Sequence, residues 1–265
     1  MCYDISFTID VRTLADYFPD LVADTQIELN FDPTHIVGHA YNEHPIIYRH
    51  REDKKLHVKM MEWGCIPFYV KDIDTFKKQR ASMLNARSER ILTDQKSYWY
   101  KIRTRRCLVP VSGIYEHRAI KGWKHKVPYF IKIADQNLFY LPGLYSANDV
   151  VDKETGEITK RFTYTIVTRP ANSLMKQIHN DGENKWRMPL FLPFERAQQW
   201  LEEDLAESQY QEILDFEMPS SALAAWPVFS IRTPKLRSDD KAKNEFYEWE
   251  NLPPLSLADD ETIPG

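Results

Sequence analysis

A cysteine follows the initiator methionine directly, at position 2 of a 265-residue chain. Removal of Met1, by an aminopeptidase or by self-cleavage, would leave Cys2 with a free α-amine and a thiol on adjacent carbons. In unperturbed form the amine titrates near pH ~7.7–8 and the thiol near ~8.5, so near-neutral pH leaves a usable fraction of both nucleophiles. An aldehyde meeting this pair forms an imine, and the thiol then closes a five-membered thiazolidine. The closure is intramolecular and gains from high effective concentration. Taken singly, a cysteine next to a terminus is more often incidental, because termini fray.

Other polar groups fall in compact clusters. In Leu84-Asn85-Ala86-Arg87-Ser88-Glu89, Asn85 can orient an amine or a carbonyl, and Arg87 can grip phosphate with its planar fork. In Val111-Ser112-Gly113-Ile114-Tyr115-Glu116-His117, the carboxylate of Glu116 is flanked by Ile114 and Tyr115. Partial desolvation there would raise its pKa and suit it to shuttling protons. His179 ends a predicted helix and is the candidate titrating acid or base. Arg187-Met188-Pro189 opens a predicted strand. His35, His39 and His44 are spaced like possible metal ligands, but no paired cysteines and no His-Glu-x-x-His pattern accompany them, so neither a metal nor a cofactor is expected. Neither a Gly-rich phosphate loop nor a Gly-x-Ser-x-Gly elbow occurs.

The elements that must carry these groups are partly legible. Leu56–Met60, Tyr129–Ile133 and Phe162–Val167 alternate like half-buried strands, and Cys107–Val111 reads as a further strand. Turn signals fall at Ala134–Asn137 and at Asp152–Gly156. Helices are expected over 94–102 with Thr93 or Asp94 as cap, from Pro170 through Leu174 and Ile178, and from Pro193 to Leu205. Strands and helices do not alternate regularly, so a mixed α+β single domain fits better than a doubly wound sheet. From 233 onward, Pro234, Pro253, Pro254 and Pro264 among charges read as an acidic C-terminal tail.

Charge and composition narrow the class. The net charge is −4, yet residues 239–265 hold eight acidic residues and two lysines, while 71–106 hold eleven Lys/Arg against four Asp/Glu. That basic window includes Tyr98-Trp99-Tyr100. Cations neutralise phosphates and rings offer stacking platforms, so the window suits nucleic acid, although a solvated helix face is the commoner origin of such a pattern. No apolar run could span a bilayer and no signal-peptide core follows Met1, so no membrane partner is expected. Three cysteines, an odd and sparse set, fit reduced thiols in a cytoplasmic protein. A monomer is the default expectation.

Taken together the segments resemble the SRAP family, the SOS response-associated peptidases that crosslink to abasic sites in DNA. The resemblance covers about residues 1–231. It rests on Met1-Cys2, Glu62-Trp63-Gly64-Cys65-Ile66-Pro67, Asn85-Ala86-Arg87-Ser88-Glu89, Arg105-Arg106-Cys107-Leu108-Val109-Pro110, Gly113-Ile114-Tyr115-Glu116, Ile166-Val167-Thr168 with Ala171-Asn172, Ile178-His179 and Arg187-Met188-Pro189, in order. It implies a domain over 1–232 with twisted, mixed and antiparallel sheets in a barrel-like core, peripheral helices, and a basic cleft for single-stranded DNA. It also implies roles. Cys2 would attack the aldehyde of the ring-opened abasic sugar and close a thiazolidine. Asn85 would hold the Cys2 amine, and Glu116 would shuttle protons and assist loss of Met1. His179 would polarise the sugar's ring-opened oxygen. Trp63 would stack near the lesion, Arg87 and Arg187 would hold flanking phosphates, and Met188 and Pro189 would shape the cleft wall.

The chain departs from the family pattern in three places. Tyr3-Asp4 stands where Gly-Arg usually follows Cys2. His39-Ala40, with Pro45-Ile46-Ile47 later, replaces an Ala-Pro ahead of Val-Pro-Val. Seven residues, Asn180 to Trp186, separate His179 from Arg187. Trp186 in that insertion could add a stacking surface. Two other functions compete: a cysteine-type peptidase or amidohydrolase built on Cys2, Glu116 and His179, and a non-catalytic single-stranded DNA module indifferent to Cys2.

Overall fold

The computed structural model describes residues 2–23, 33–151, 155–233 and 237–256. Thirteen strands are described: β1 (Asp4–Ser6), β2 (Val22–Ala23), β3 (Ile36–Val37), β4 (Glu43–Arg49), β5 (Leu56–Trp63), β6 (Asn85–Arg87), β7 (Arg106–Val111), β8 (Gly113–Arg118), β9 (Val127–Ile133), β10 (Phe139–Val151), β11 (Ile158–Pro170), β12 (Arg187–Pro189) and β13 (Leu223–Pro227). The helices are short: α1 (Leu14–Tyr17), α2 (Ile73–Arg80), α3 (Tyr98–Lys101), α4 (Ser173–Ile178), α5 (Phe194–Trp200) and α6 (Glu207–Asp215).

β11, β10, β7, β4 and β5 pair in that order as antiparallel neighbours. β5 then returns to β11, Glu62 and Trp63 lying parallel to Thr163 and Tyr164, and this closes a five-stranded barrel. Every residue of β7 is buried, which is why Cys107–Val111 reads as an unbroken apolar run and not as an alternation. Where β10 pairs with β11, opposite Ile166, Gly143 is required: a Cβ there would stand 2.5 Å from the Thr165 carbonyl oxygen. Trp200 of α5 is fully buried against this wall and its indole N–H donates to the carbonyls of Cys107 (3.0 Å) and Gly143 (3.2 Å). A second, antiparallel sheet runs β13-β9-β8-β1-β3. Ser112 alone separates β7 from β8, so the chain passes directly from barrel to second sheet. Its backbone N–H donates to the Ser6 carbonyl at 2.7 Å, which ties this crossing to β1. The architecture is the α+β, barrel-like single domain expected from the sequence.

Several element boundaries differ from expectation for local reasons. Pro170 ends β11, and α4 begins only after Asn172, whose side chain accepts the Met175 N–H at 2.9 Å. Asp94 spends its carboxylate on the N–H groups of Lys96 and Ser97, so the chain turns and Ser97 becomes the cap of a shorter α3. α5 stops at Trp200 and not at Leu205. α2, capped by Asp72, and α6, which buries Tyr210, Ile213 and Leu214, were not signalled. Asp135 takes a left-handed conformation in the expected turn between β9 and β10. Of the turn signal at 152–156, residues 152–154 lie outside the described residues, as do Pro234 and Pro264.

The segment read as a tail has structure over 237–256. Tyr247 N–H donates to the Pro227 carbonyl, Val228 bridges Phe246, and the Trp249 indole donates to the Val228 carbonyl at 3.0 Å. Arg118 reaches the carbonyls of Pro253 and Pro254, and Gln177 exchanges two hydrogen bonds with the Ser256 backbone. Aromatic residues among the acidic ones supply the apolar surface that docks this segment. No helix among the described residues is long and apolar enough to cross a membrane.

Candidate active site

Four elements converge on the N-terminus. β1 lies between β3 and β8, which brings Cys2 up against β8 and leaves it fully buried. β8 carries Glu116, opposite Tyr129 of β9 and 5% exposed. β6 adds to β11 in parallel, Asn85 beside Ile166. His179 is the residue that ends α4. β12 then returns along β11, with Arg187 opposite Pro170.

Asn85 donates from Nδ2 to the Cys2 carbonyl oxygen at 2.8 Å. The contact is thus to the carbonyl of residue 2 and not to its amine. Among the described residues the Asn85 Oδ1 is buried with no hydrogen-bond partner, which leaves an acceptor beside Cys2. The Cys2 thiol donates weakly to the Asp4 carbonyl at 3.8 Å. Burial, with the Glu116 carboxylate second, pushes this thiol well above its ordinary range, so it rests protonated.

His179 Nδ1 lies 2.8 Å from the Arg187 carbonyl oxygen. A carbonyl can only accept, so Nδ1 carries the hydrogen and Nε2 presents its lone pair. Nε2 stands 3.9 Å from Glu116 Oε2. Burial lowers the imidazole to about 4, which keeps it neutral at physiological pH. Burial raises Glu116 to about 7, with Asp4 adding to the rise. Near neutrality this carboxyl is therefore present in both forms, facing a neutral imidazole and a thiol. That combination can hand protons to and from a carbonyl, an amine or a thiol.

The remaining expected residues take other parts. Trp63 is fully buried: its indole N–H donates to the Leu84 carbonyl at 2.9 Å and its ring stacks on Tyr164. It offers no face to a nucleotide and instead fixes the residue before Asn85. Arg187 is 8% exposed and its guanidinium is taken by the Glu89 carboxylate and by the Thr168 carbonyl. It holds no open phosphate position, and its backbone orients His179. Met188 and Pro189 are buried in β12, behind the site and not along an open wall; the Met188 sulfur accepts the Asn172 N–H. Arg87 is exposed at the end of β6, with Asn184 as partner at 3.1 Å. Trp186 is 52% exposed, in a left-handed conformation, and its N–H donates to the His179 carbonyl at 2.8 Å. Lys185 sits over its ring at 4.3 Å. His35, His39 and His44 do not converge: His35 pairs with Asp4, His39 lies against Tyr3, and His44 is buried against the Pro110 carbonyl.

Two residues that sequence reasoning passed over belong to this site. Asn180 clamps Ala119 from both sides, accepting its N–H at 2.8 Å and donating to its carbonyl at 3.0 Å, and so ties the end of β8 to the loop after His179. Its place next to His179 was the available signal. Tyr3 is half-buried beside Cys2, and burial, Glu116 and Cys2 together raise its hydroxyl. A tyrosine adjoining a candidate nucleophile could have been read from the sequence.

The family model described as SOS response associated peptidase (SRAP) matches residues 1–231. The chain is 29% identical over 234 residues to the abasic site processing protein YoqW of Bacillus subtilis, covering 86% of this chain and 96% of that one. It is 30% identical over 184 residues to the abasic site processing protein YMR114C of Saccharomyces cerevisiae, covering 68% and 45%. A crystal structure of a Bacteroides thetaiotaomicron protein superposes with a TM-score of 0.73 at 27% identity over 92% of this chain and 97% of that one. By its sequence match over most of its length and by its fold, the chain belongs to the SOS response associated peptidase family.

Proposed function

We propose that this protein processes abasic sites in single-stranded DNA by capturing the ring-opened sugar at Cys2. The reading is carried by one observation: Cys2, Asn85, Glu116 and His179, from four separate segments of sequence, meet in a buried site where the Asn85 Oδ1 has no partner among the described residues. Two relatives described above bear the name of abasic site processing proteins.

Maturation comes first. Hydrolysis of the Met1–Cys2 bond consumes one water and releases methionine, with Glu116 as proton carrier. The freed amine then takes the Asn85 Oδ1 as hydrogen-bond acceptor. The amine lone pair attacks the C1′ aldehyde and one N–H proton passes to the oxygen to give the carbinolamine; protonated Glu116 supplies the proton with which the hydroxyl leaves as water, and the remaining N–H proton returns to Glu116, leaving the neutral imine. Cys2 sulfur adds to the imine carbon while its proton passes to the imine nitrogen. The net change is aldehyde, amine and thiol to thiazolidine and one water. His179 Nε2 accepts a hydrogen bond from the sugar hydroxyl released by ring opening. An abasic sugar has no base to read, so recognition rests on backbone charge, stacking and the aldehyde itself. Arg87 serves a flanking phosphate, and Trp186 a flanking base.

The test is to incubate the mature chain with a single-stranded oligonucleotide carrying one abasic site and to resolve the products under denaturing conditions. A covalent species is expected whose mass is protein plus DNA less one water. Cys2→Ala abolishes it. Turnover of peptides in trans without any DNA adduct would establish the hydrolase instead. Salt-sensitive binding with no dependence on Cys2 would establish the non-catalytic module.

A further inference from the structure

We propose that the hairpin joining β4 to β5 holds a divalent transition-metal ion of the zinc type through His50, Asp53 and His57. This inference is independent of the chemistry at Cys2. His57 lies near the start of β5 and Trp63 at its end, so six residues at ~3.3 Å each put the hairpin roughly 20 Å from the Asn85 end of the strand.

The three side chains already converge. One donor atom from each lies within 4.8 Å of the other two. His50 Nδ1 is 3.2 Å from one Asp53 oxygen, and His57 Nε2 is 2.9 Å from the other. Donors around a tetrahedral zinc at ~2.0–2.1 Å stand roughly 3.4 Å apart, so the trio needs only small side-chain rotations to enclose an ion. Two imidazoles and one carboxylate suit zinc and its neighbours better than magnesium or calcium, which favour all-oxygen shells. Three protein ligands leave one position for water.

The turn is built to hold these donors. His50 N–H donates to the Lys55 carbonyl and Lys54 N–H to the His50 carbonyl, with Lys54 in a left-handed conformation. The Lys55 N–H fixes one Asp53 oxygen at 3.0 Å, the kind of outer contact that orients a ligating carboxylate. The two imidazoles lie stacked with centroids 4.6 Å apart. His50 also lines a surface cleft with Arg51, Thr104 and Tyr145, which gives an ion and its water a way in. The cleft is also lined by four cations and two carboxylates: Lys54 pairs with Glu203, Arg49 is bound to the Leu201 and Lys54 carbonyls, Arg106 to the Trp200 and Glu202 carbonyls, and Arg51 to the Tyr145 hydroxyl.

The untagged full chain, stripped with a chelator, is titrated with Zn²⁺ by calorimetry at near-neutral pH. One equivalent is expected to bind. His50→Gln and His57→Gln should each weaken uptake at least about tenfold, since loss of a ligand costs no less than loss of its outer partner. His50 is one-third exposed, so His50→Gln leaves the fold intact and keeps the test decisive if His57→Gln does not fold. Cys2→Ala should bind zinc as the unsubstituted chain does. Substitution with Co²⁺ should give ligand-field bands without thiolate charge transfer. No uptake, uptake indifferent to both histidine substitutions, loss of uptake in Cys2→Ala, or a thiolate band would each overturn the proposal.

Discussion

Glu116→Gln should make this protein more stable, by an amount that grows from about pH 4.5 and levels off above pH 7. The carboxyl is 5% exposed and raised by burial from 4.5 to about 7. Between those two values the unfolded chain releases the proton while the folded chain keeps it. Stability from this group is therefore full below pH ~4.5 and falls as pH rises through 7, where the folded carboxyl must ionise in a dry site. A gap of about 2.5 pH units at 1.36 kcal/mol each sets the penalty at about 3 kcal/mol above pH 8. The amide of Gln keeps the shape and never ionises. Paired thermal melts should then show near-equal midpoints at pH 4.5 and a gain for Glu116→Gln of roughly 6–12 °C at pH 8, at about 2–4 °C per kcal/mol for a chain of this size. The same substitution should remove the inflection near pH 7 from the rate of adduct formation. A midpoint difference that does not change between the two pH values would refute the buried-carboxyl argument. An inflection that survives in the amide variant would move the proton carrier elsewhere.

Other expectations come from named contacts. Glu62 accepts from Arg80, 4% exposed, at 2.7 Å and from Arg161; Glu62→Ala should cost about 3 kcal/mol in urea denaturation by stranding a buried guanidinium, and a loss below about 1 kcal/mol would count against the pair. Trp186→Ala should weaken single-stranded DNA binding by about 1–3 kcal/mol in fluorescence anisotropy while leaving the adduct at saturating DNA unchanged; unaltered affinity disposes of the stacking role. Asn180→Ala should slow adduct formation by loosening His179 against β8, with Cys2 still alkylated normally after unfolding; an unchanged single-turnover rate would show that the Ala119 clamp is dispensable. Trp249→Ala should lower stability by about 2 kcal/mol, a half-buried fraction of the usual cost for a core tryptophan, whereas a solvated tail would register nothing in the same melt.

Alternation of residue type made β5, β9 and β11 legible near their middles, although in β9 and β11 the alternate positions are mostly buried as well, Thr163 and Thr165 wholly so. Their ends were not. β5 continues to Trp63 because the barrel closes there against Tyr164, a contact between residues 101 positions apart that no local pattern records. Pro170 looked like the start of a helix but finishes β11, since proline suits the end of a strand as well as the first turn of a helix. At the site, residue type indicated candidate chemistry better than it indicated exposure. Trp63 and Arg187 have the side chains expected of nucleotide contacts, yet one is spent on Leu84 and the other on Glu89. Their partners lie 21 and 98 residues away, and only the folded register reveals them. The docked segment was masked by its prolines and acids, which outweighed Tyr247 and Trp249 in a reading by composition.

The complete burial of Cys2 bears on how the protein survives before it meets a substrate. Thiols that oxidise readily are ionised and open to small peroxides. This one is covered and held protonated, and Cys65 and Cys107 are free and fully buried as well, each held inside the core. Protection comes from shielding. On the proposed reading of Cys2 as the capturing nucleophile, its thiol is stored inert under a cover of protein and needs no reductant on call under oxidising stress.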